Sequence, residues 1–231
     1  MQIGSKEWSA LIIDGARTFD IELKSDQTEK FAVHARELIR WNKTFNITTI
    51  TDPVEIALKH FLDSLPAAHH IPPDATLLDI GSGGGFPGIP LKILMPSLMV
   101  TLIDASRKKV SFLKHVIRSL KLDHIEALPM RAENLVTDSL YRKRFDVVIS
   151  RAFAALALFV RLAHPLRSPG GIIIALKGET DKNELNDLHN YLFGEAIGTS
   201  AIGHGPGIDM ENFNLPFLNA KRSIIVLSGF D

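Results

Sequence analysis

The sequence predicts an α/β fold: an open, mostly parallel sheet that ends in an antiparallel hairpin and is preceded by a helical region. Three observations carry that expectation. After residue 73 short apolar runs alternate with amphipathic segments, the pattern of buried parallel strands joined by crossover helices. The first such run leads into a glycine-rich turn, LLDIGSGGGFPGIPL at 77–91. The stretch before the last run holds Gly203, Gly205, Pro206, Gly207 and Pro216, which disfavours a regular crossover helix. Without a crossover, the last two strands should pair antiparallel.

Taken in order, residues 1–73 show helical periodicity. Phe31, Ala35, Leu38 and Phe45 favour one face, and Pro53 suits the first turn of a helix running to about Leu65. Pro72 and Pro73 end this region, because the residue before a proline is pushed out of the helical conformation. A helical N-terminal region (1–73) and a larger unit (74–231) are therefore expected. Strands are expected at about 76–81, 99–104, 124–128, 145–150 and 171–176, with helices between them. A helix at 181–192, a strand near 195–203 and a strand at 222–229 complete the chain. A seven-stranded sheet closed this way departs from a parallel dinucleotide fold. It is typical of the Rossmann-like class I S-adenosylmethionine-dependent methyltransferases.

Composition narrows the chemistry. With 231 residues, 45% hydrophobic and 23% charged, the chain suits one substantial core. No stretch approaches the roughly 20 apolar residues of a membrane span, and the first thirty residues alternate charge with short apolar pieces. A cytoplasmic protein with no membrane partner is expected. The absence of cysteine excludes disulfides, thiolate metal sites and cysteine nucleophiles. The net charge of zero hides a local asymmetry. Between Ala105 and Leu122 stand Arg107, Lys108, Lys109, Lys114, Arg118 and Lys121 with no acidic residue, and Arg142, Lys143, Arg144 and Arg151 follow.

Two frames fit the glycine-rich turn. Asp79, Gly81, Gly83 and Gly85 give D-x-G-x-G-x-G, common after the first strand of methyltransferases; Gly83, Gly85 and Gly88 give the dinucleotide form G-x-G-x-x-G. Pro87 and Pro90 fall where the second frame would open its helix, which favours the first. Phe86 is either core packing or a wall for the ligand. Asp104 ends the second strand, 23 residues after Gly81, where a carboxylate accepts hydrogen bonds from ribose hydroxyls; capping the next helix is the alternative. In the basic segment Val110, Leu113, Ile117 and Leu120 form the buried face, with Arg107, Lys114, Arg118 and Lys121 in a stripe beside it. That stripe is either a solvated helix face or a phosphate-binding surface. Arg151, in SRAFA at the end of the fourth strand, stands where reacting groups gather in open α/β sheets. Lys177, in LKG after the fifth strand, lies at the same edge, serving either RNA or solubility.

Absent motifs also count. The chain has neither a D/N-P-P-Y/F element after the fourth strand nor a cysteine, which disfavours amino-group and pyrimidine C5 acceptors. A ring nitrogen such as guanine N7 presents a lone pair at neutral pH and needs alignment more than a base. Alignment can supply roughly 7–11 kcal/mol of the barrier.

WNKTFNIT (41–48), KHFLDSL (59–65), GSGGGFPGIPL (81–91), RAENL (131–135), ISRAFA (149–154) and LKG occur in this order. Together they resemble the RsmG (GidB) family, bacterial methyltransferases that use S-adenosylmethionine to methylate N7 of a guanine in the 530 loop of 16S ribosomal RNA. The resemblance spans about residues 30–178; the last fifty residues match loosely. It implies that Gly81, Gly83 and Phe86 line the donor site, to which the glycine frame and the strand end add Gly85 and Asp104, and that Ala132 and Glu133 contact the adenine side. It makes Arg151 and Asn46 the expected catalytic residues, with His60 and Asp63 facing the same cleft. Arg107, Lys108, Lys114, Arg118, Arg131 and Lys177 are the expected RNA contacts. The implied cofactor is S-adenosylmethionine, released as S-adenosylhomocysteine, with no metal. The implied partner is 16S rRNA or the small ribosomal subunit, met by a monomer. A nicotinamide-dependent oxidoreductase and a non-catalytic ribosome assembly factor are the competing expectations.

Overall fold

The computed structural model describes residues 1–151, 153, 155–194 and 206–230. Its centre is a seven-stranded sheet in the order β3-β2-β1-β4-β5-β7-β6. The strands are β1 (Thr76–Ile80), β2 (Met99–Asp104), β3 (Ile125–Pro129), β4 (Phe145–Arg151), β5 (Arg167–Lys177), β6 (Gly207–Leu215) and β7 (Ala220–Ser228). The first five pair in parallel. β7 enters antiparallel to β5, and β6 antiparallel to β7. The order reverses between β1 and β4, so the crevice beyond their carboxyl ends is the place where ligands bind in such sheets.

The antiparallel ending agrees with the sequence reading, but the partner strand lies elsewhere. The strand expected near 195–203 falls outside the described residues, and β7 pairs with 207–215. That stretch sits inside the segment whose glycines and prolines argued only against a helix. The turn between the two strands places Phe217 and Asn219 at φ 65° and 46°. Most of β6 is exposed and carries Asp209 and Glu211, charges that suit a sheet edge.

Alternation along the strands sends successive residues to opposite faces. Leu77, Leu102, Val147 and Ile149 join one buried cluster with Trp8, Ile12, Phe31 and Phe61. Leu78, Ile103 and Val148 join another with Phe159, Val160 and Leu188. The second face is covered by α6 (Ala132–Thr137), α7 (Leu156–Ala163) and α8 (Lys182–Phe193). The first is covered by α4 (Gly88–Leu94), α5 (Arg107–Ser119) and the N-terminal helices α1 (Lys6–Arg17) and α2 (Ser25–Phe45).

The N-terminal region is fastened to the sheet by polar contacts as well as packing. Gln27 on α2 donates to the Ile93 carbonyl on α4 at 3.1 Å. Within the region, Trp8 on α1 donates to the Pro53 carbonyl at 2.8 Å. Asp52 caps the following helix by accepting from Val54 and Glu55 amides, with Pro53 at its first position. The single helix expected from Pro53 to Leu65 is divided. It runs as α3 (Pro53–Ile56), a π-helical turn (Ala57–Phe61) and a 3-10 turn (Leu62–Ser64). Such π-turns recur at functional sites, and this one carries Lys59 and His60.

Gly15 of α1 meets this divided segment closely. A Cβ there would lie 2.3 Å from Leu62 Cδ1, inside the shared core. Gly15→Ala is expected to lower the stability of the chain by about 1–3 kcal/mol, seen as a reduced urea midpoint with secondary structure and buried-tryptophan fluorescence lost together. An unchanged midpoint would show that the N-terminal helices do not pack as described.

Candidate active site

The glycine loop is held by its own backbone and by two carboxylates. Gly81 and Ser82 amides both donate to the Ile103 carbonyl, at 2.9 and 3.0 Å; Gly85 and Phe86 amides both donate to the Ser82 carbonyl, at 2.7 and 3.0 Å. The Gly83 amide donates to Asp104 Oδ2 at 3.1 Å and the Gly88 amide to Asp79 Oδ2 at 3.0 Å. Gly81 and Gly83 take φ values of 75° and 56°, and a Cβ on either would meet open space apart from the Gly81 carbonyl. They therefore leave an open cradle at the carboxyl end of β1. Gly85 plays another part: a Cβ there would stand 2.6 Å from Ile89 Cδ1 and 3.2 Å from Leu113, so its lack of a side chain serves packing.

Asp104 stands beside this cradle at the end of β2. Its Oδ1 accepts from the Ser106 amide at 2.8 Å, while Ser106 itself caps α5. The carboxylate thus braces both the glycine loop and the approach to α5. Across the sheet the Met130 amide donates to the Asp104 carbonyl at 3.1 Å, which brings the start of α6 alongside. There Ala132 is buried, and Arg131 and Glu133 are exposed.

The ring of Phe86 packs in the core, one of the two readings open for it. It is 3% exposed and lies between two imidazoles, stacked on His34 at 4.7 Å and on His60 at 4.4 Å. Phe61 meets it edge-on at 5.3 Å. With both faces covered, the ring packs the loop against the residues behind it.

Those residues centre on Arg151, at the end of β4. Its guanidinium lies 5.1 Å from the Phe86 ring centroid. Nη1 donates to the Lys59 carbonyl at 2.7 Å, and Nη2 to His60 Nδ1 at 3.1 Å. Arginine has no acceptor, so His60 Nδ1 must be bare and the proton must sit on Nε2. That nitrogen then donates to Thr48 Oγ1, 3.0 Å away. Asp63 stands 3.8 Å from Arg151 and accepts from Arg222 Nε at 2.7 Å. One half-buried carboxylate therefore balances two guanidinium groups. An open cavity of about 340 Å³ is lined by Ile50, Lys59, His60, Asp63, Arg151, Leu176, Lys177, Gly178 and Arg222.

Other expected site residues fare differently. Asn46 ends α2 in the left-handed conformation, φ 47°, with its side chain exposed; two residues on, Thr48 reaches His60. Lys177 lines the cavity, and its ammonium donates to Glu184 at 2.6 Å and to the Phe153 carbonyl at 3.0 Å. On α5, Arg107, Lys108, Lys114 and Arg118 are exposed as expected, and Lys108 lies over the ring of the exposed Phe45 at 5.9 Å. Arg142, Lys143 and Arg144 precede β4, so they sit toward the end of that strand opposite Arg151. Among the described residues no group of three or more His, Asp or Glu is arranged to hold a metal. Sequence reasoning missed Arg222 and His34. The only local signals were an arginine at the start of an apolar strand and a histidine at a core-spaced position between Phe31 and Leu38.

Burial sets the charge states here. It pushes His34 down to about 4 and, with Arg151 alongside, His60 down to about 3. It raises Asp79, fully buried, to about 7. Asp79 Oδ1 has no hydrogen-bond partner. These shifts oppose each other in the pH dependence of folding. Unfolded histidines take up protons below about pH 6.5 while the buried ones do not, so they withdraw stability as the pH falls toward 4. Asp79 is protonated in the fold below about pH 7 but in the unfolded chain only near pH 4, so it adds stability over the same window. Between pH 6.5 and 4, urea midpoints of His60→Gln should therefore fall less steeply than those of the wild type, and midpoints of Asp79→Asn more steeply. Parallel slopes in all three would contradict these assignments.

Comparison with solved structures shows the fold. A SAM dependent methyltransferase from Aquifex aeolicus aligns with TM-score 0.56 at 15% identity, over 80% of this chain and 97% of that one. The [4+2]-cyclase SpnF aligns equally well, TM-score 0.56 at 14% identity, over 75% and 81%, so the architecture alone does not select a reaction. Sequence relatives are more specific. The ribosomal RNA small subunit methyltransferase G of Syntrophus aciditrophicus is 46% identical over 188 residues, 80% of this chain and 78% of the relative. That of Desulfitobacterium hafniense is 46% identical over 208 residues, 90% and 83%. Residues 27–204 match the family model described as GidB, rRNA small subunit methyltransferase G, and the chain belongs to that family.

Proposed function

We propose that this protein transfers a methyl group from S-adenosylmethionine to N7 of a guanine in the 530 loop of 16S ribosomal RNA, acting in the cytoplasm as a monomer. The observation that carries the reading is the placement of Arg151 between the back of the glycine loop, through Phe86, and the cavity beside Asp63 and Arg222. Donor and acceptor would then meet at the carboxyl end of β1 and β4.

The residues fit the cofactor. Gly81 and Gly83 would hold it in a cradle that a Cβ would enter, Asp104 would accept from its ribose, and Ala132 and Glu133 would border its adenine. When bound, S-adenosylmethionine supplies a sulfonium methyl that a nitrogen lone pair can attack directly. The protein need not remove a proton, since N7 carries none. Its work is to align the base and exclude water. Arg151 has five donors, of which one serves Lys59 and one serves His60. A nitrogen that attacks carbon cannot simultaneously accept from arginine, so Arg151 would address guanine O6 or a phosphate. His60, held neutral with Nδ1 bare, fixes the guanidinium without competing for its charge. Asn46 at the mouth would complete the contacts to the base.

The exposed residues of α5 suit a single RNA strand. Lys108 lies over Phe45, which packs on Trp41, while Lys114 and Arg118 border a groove toward β3, and Arg107 and Arg131 are exposed at the starts of α5 and α6. Aromatic and basic side chains together bind unstacked nucleotides, through ring stacking and phosphate neutralisation. Arg142, Lys143 and Arg144 lie too far round the sheet to hold the target base.

Incubating the protein with labelled donor and undermethylated small subunits or their 16S RNA should yield N7-methylguanine in the digested RNA; no such product would sink the proposal. Arg151→Lys keeps the charge but loses the planar fork. It should lower the methylation rate on the order of 100-fold or more while the donor still binds. Replacing Lys108 and Arg118 together by alanine should weaken RNA binding and reduce the slope of log affinity against log salt by about 1.4, from roughly 0.7 per phosphate contact on a single strand. An unaltered salt slope would remove α5 from the interface.

A further inference from the structure

His34 is a costly residue for the place it occupies. On α2 it is fully buried and ringed by Phe61, Phe86 and Phe112 at centroid distances of 5.5, 4.7 and 6.0 Å. Its Nε2 lies 2.8 Å from the Gly84 carbonyl. A carbonyl only accepts, so Nε2 carries the proton and Nδ1 is bare. Nδ1 is buried without any hydrogen-bond partner, a desolvation cost that nothing at that atom offsets. A leucine or methionine would fill the same space with no such orphan. Packing therefore does not account for an imidazole here, and the bond to the loop does.

The loop has particular need of that bond. Gly83, Gly84 and Gly85 are consecutive and lose more conformational freedom on ordering than any other residues would. The Gly83 amide is held by Asp104, the Gly84 carbonyl by His34, and Gly85 by two backbone bonds, its amide to the Ser82 carbonyl and its carbonyl from the Ile89 amide. Among the described residues, His34 is the only side chain of the N-terminal helices that hydrogen-bonds this loop. The opposite face of Phe86 rests on His60, which holds Arg151.

We propose that His34 is a positioning residue for the methyl donor: by donating to the Gly84 carbonyl it holds the three-glycine loop in its binding shape before the donor arrives. The idea rests on the donor-site reading above. A preformed loop raises affinity because ordering is not left to the binding step. His34 touches neither donor nor base and should leave the methyl-transfer step itself alone.

The test uses His34→Leu, which removes the hydrogen bond and keeps apolar packing, and His34→Gln, whose amide nitrogen reaches as far as Nε2. By calorimetry, His34→Leu should bind S-adenosylmethionine on the order of tenfold more weakly, with little loss in melting temperature, and His34→Gln should recover most of that affinity. In turnover, the KM for donor should rise while kcat at saturating donor and the affinity for RNA stay within a few-fold. A folded His34→Leu that binds donor like the wild type overturns the proposal, as does a folded His34→Gln that binds no better than His34→Leu. If His34→Leu does not fold, His34→Asn replaces it. Its amide reaches only as far as Nδ1, and equal donor affinity in the Asn and Gln variants overturns the proposal. A wild-type protein that binds no donor overturns the donor-site reading along with it, and so is distinguishable from the other failures.

Discussion

A guanidinium group withdrawn from most of its water must be compensated where it lies, and the half-buried Arg151, its side chain 18% exposed, organises much of this molecule. Leaving such a charge unpaired would cost several kcal/mol. Its partners come from a segment about ninety residues earlier: the Lys59 carbonyl, neutral His60 and the Asp63 carboxylate. Supplying them requires the 53–65 helical segment to dock against the sheet, and its π-helical turn falls at Lys59 and His60. The N-terminal helices are therefore part of the site as well as part of the core.

The same arrangement explains how an architecture shared with a cyclase can serve a particular chemistry. The sheet contributes what many such folds contribute, a glycine turn after β1 and a carboxylate after β2. The Arg151 cavity adds the N-terminal helices to that plan, and a side chain from the common β7, Arg222, which reaches Asp63. Phe86 joins the two halves. Its backbone belongs to the loop, while its ring is enclosed by His34, His60 and Phe61, with Arg151 close by.

How much of this was legible in the sequence depended on how local each feature is. The first five strands, the turn at 81–88 and Asp104 follow from short-range pattern, and the structure places them close to where the sequence does. Arg151 was legible because a strand end is a local fact. Arg222 and His34 were not, because their partners lie 159 and 50 residues away and neither residue looks unusual beside its neighbours. Phe86 was ambiguous for the same reason: only the packed helices decide that its ring is enclosed. Lys177 shows the converse, since Glu184 is just seven residues on, yet an intervening turn hides the pairing from any helical or strand periodicity. In the last fifty residues, dense glycine and proline signalled a break in helix but could not say which stretch would form the edge strand.

The central claim is that the glycine loop and the Arg151 cavity are two sides of one site, joined through Phe86. Titration of the isotopically labelled protein with S-adenosylhomocysteine, followed by nuclear magnetic resonance, tests it most directly. The account expects the Gly81, Gly83 and Gly84 amides and the Arg151 Nε signal to shift together along one saturation curve. Loop signals that move while Arg151 stays still, or a ligand that leaves the loop unperturbed, would contradict it.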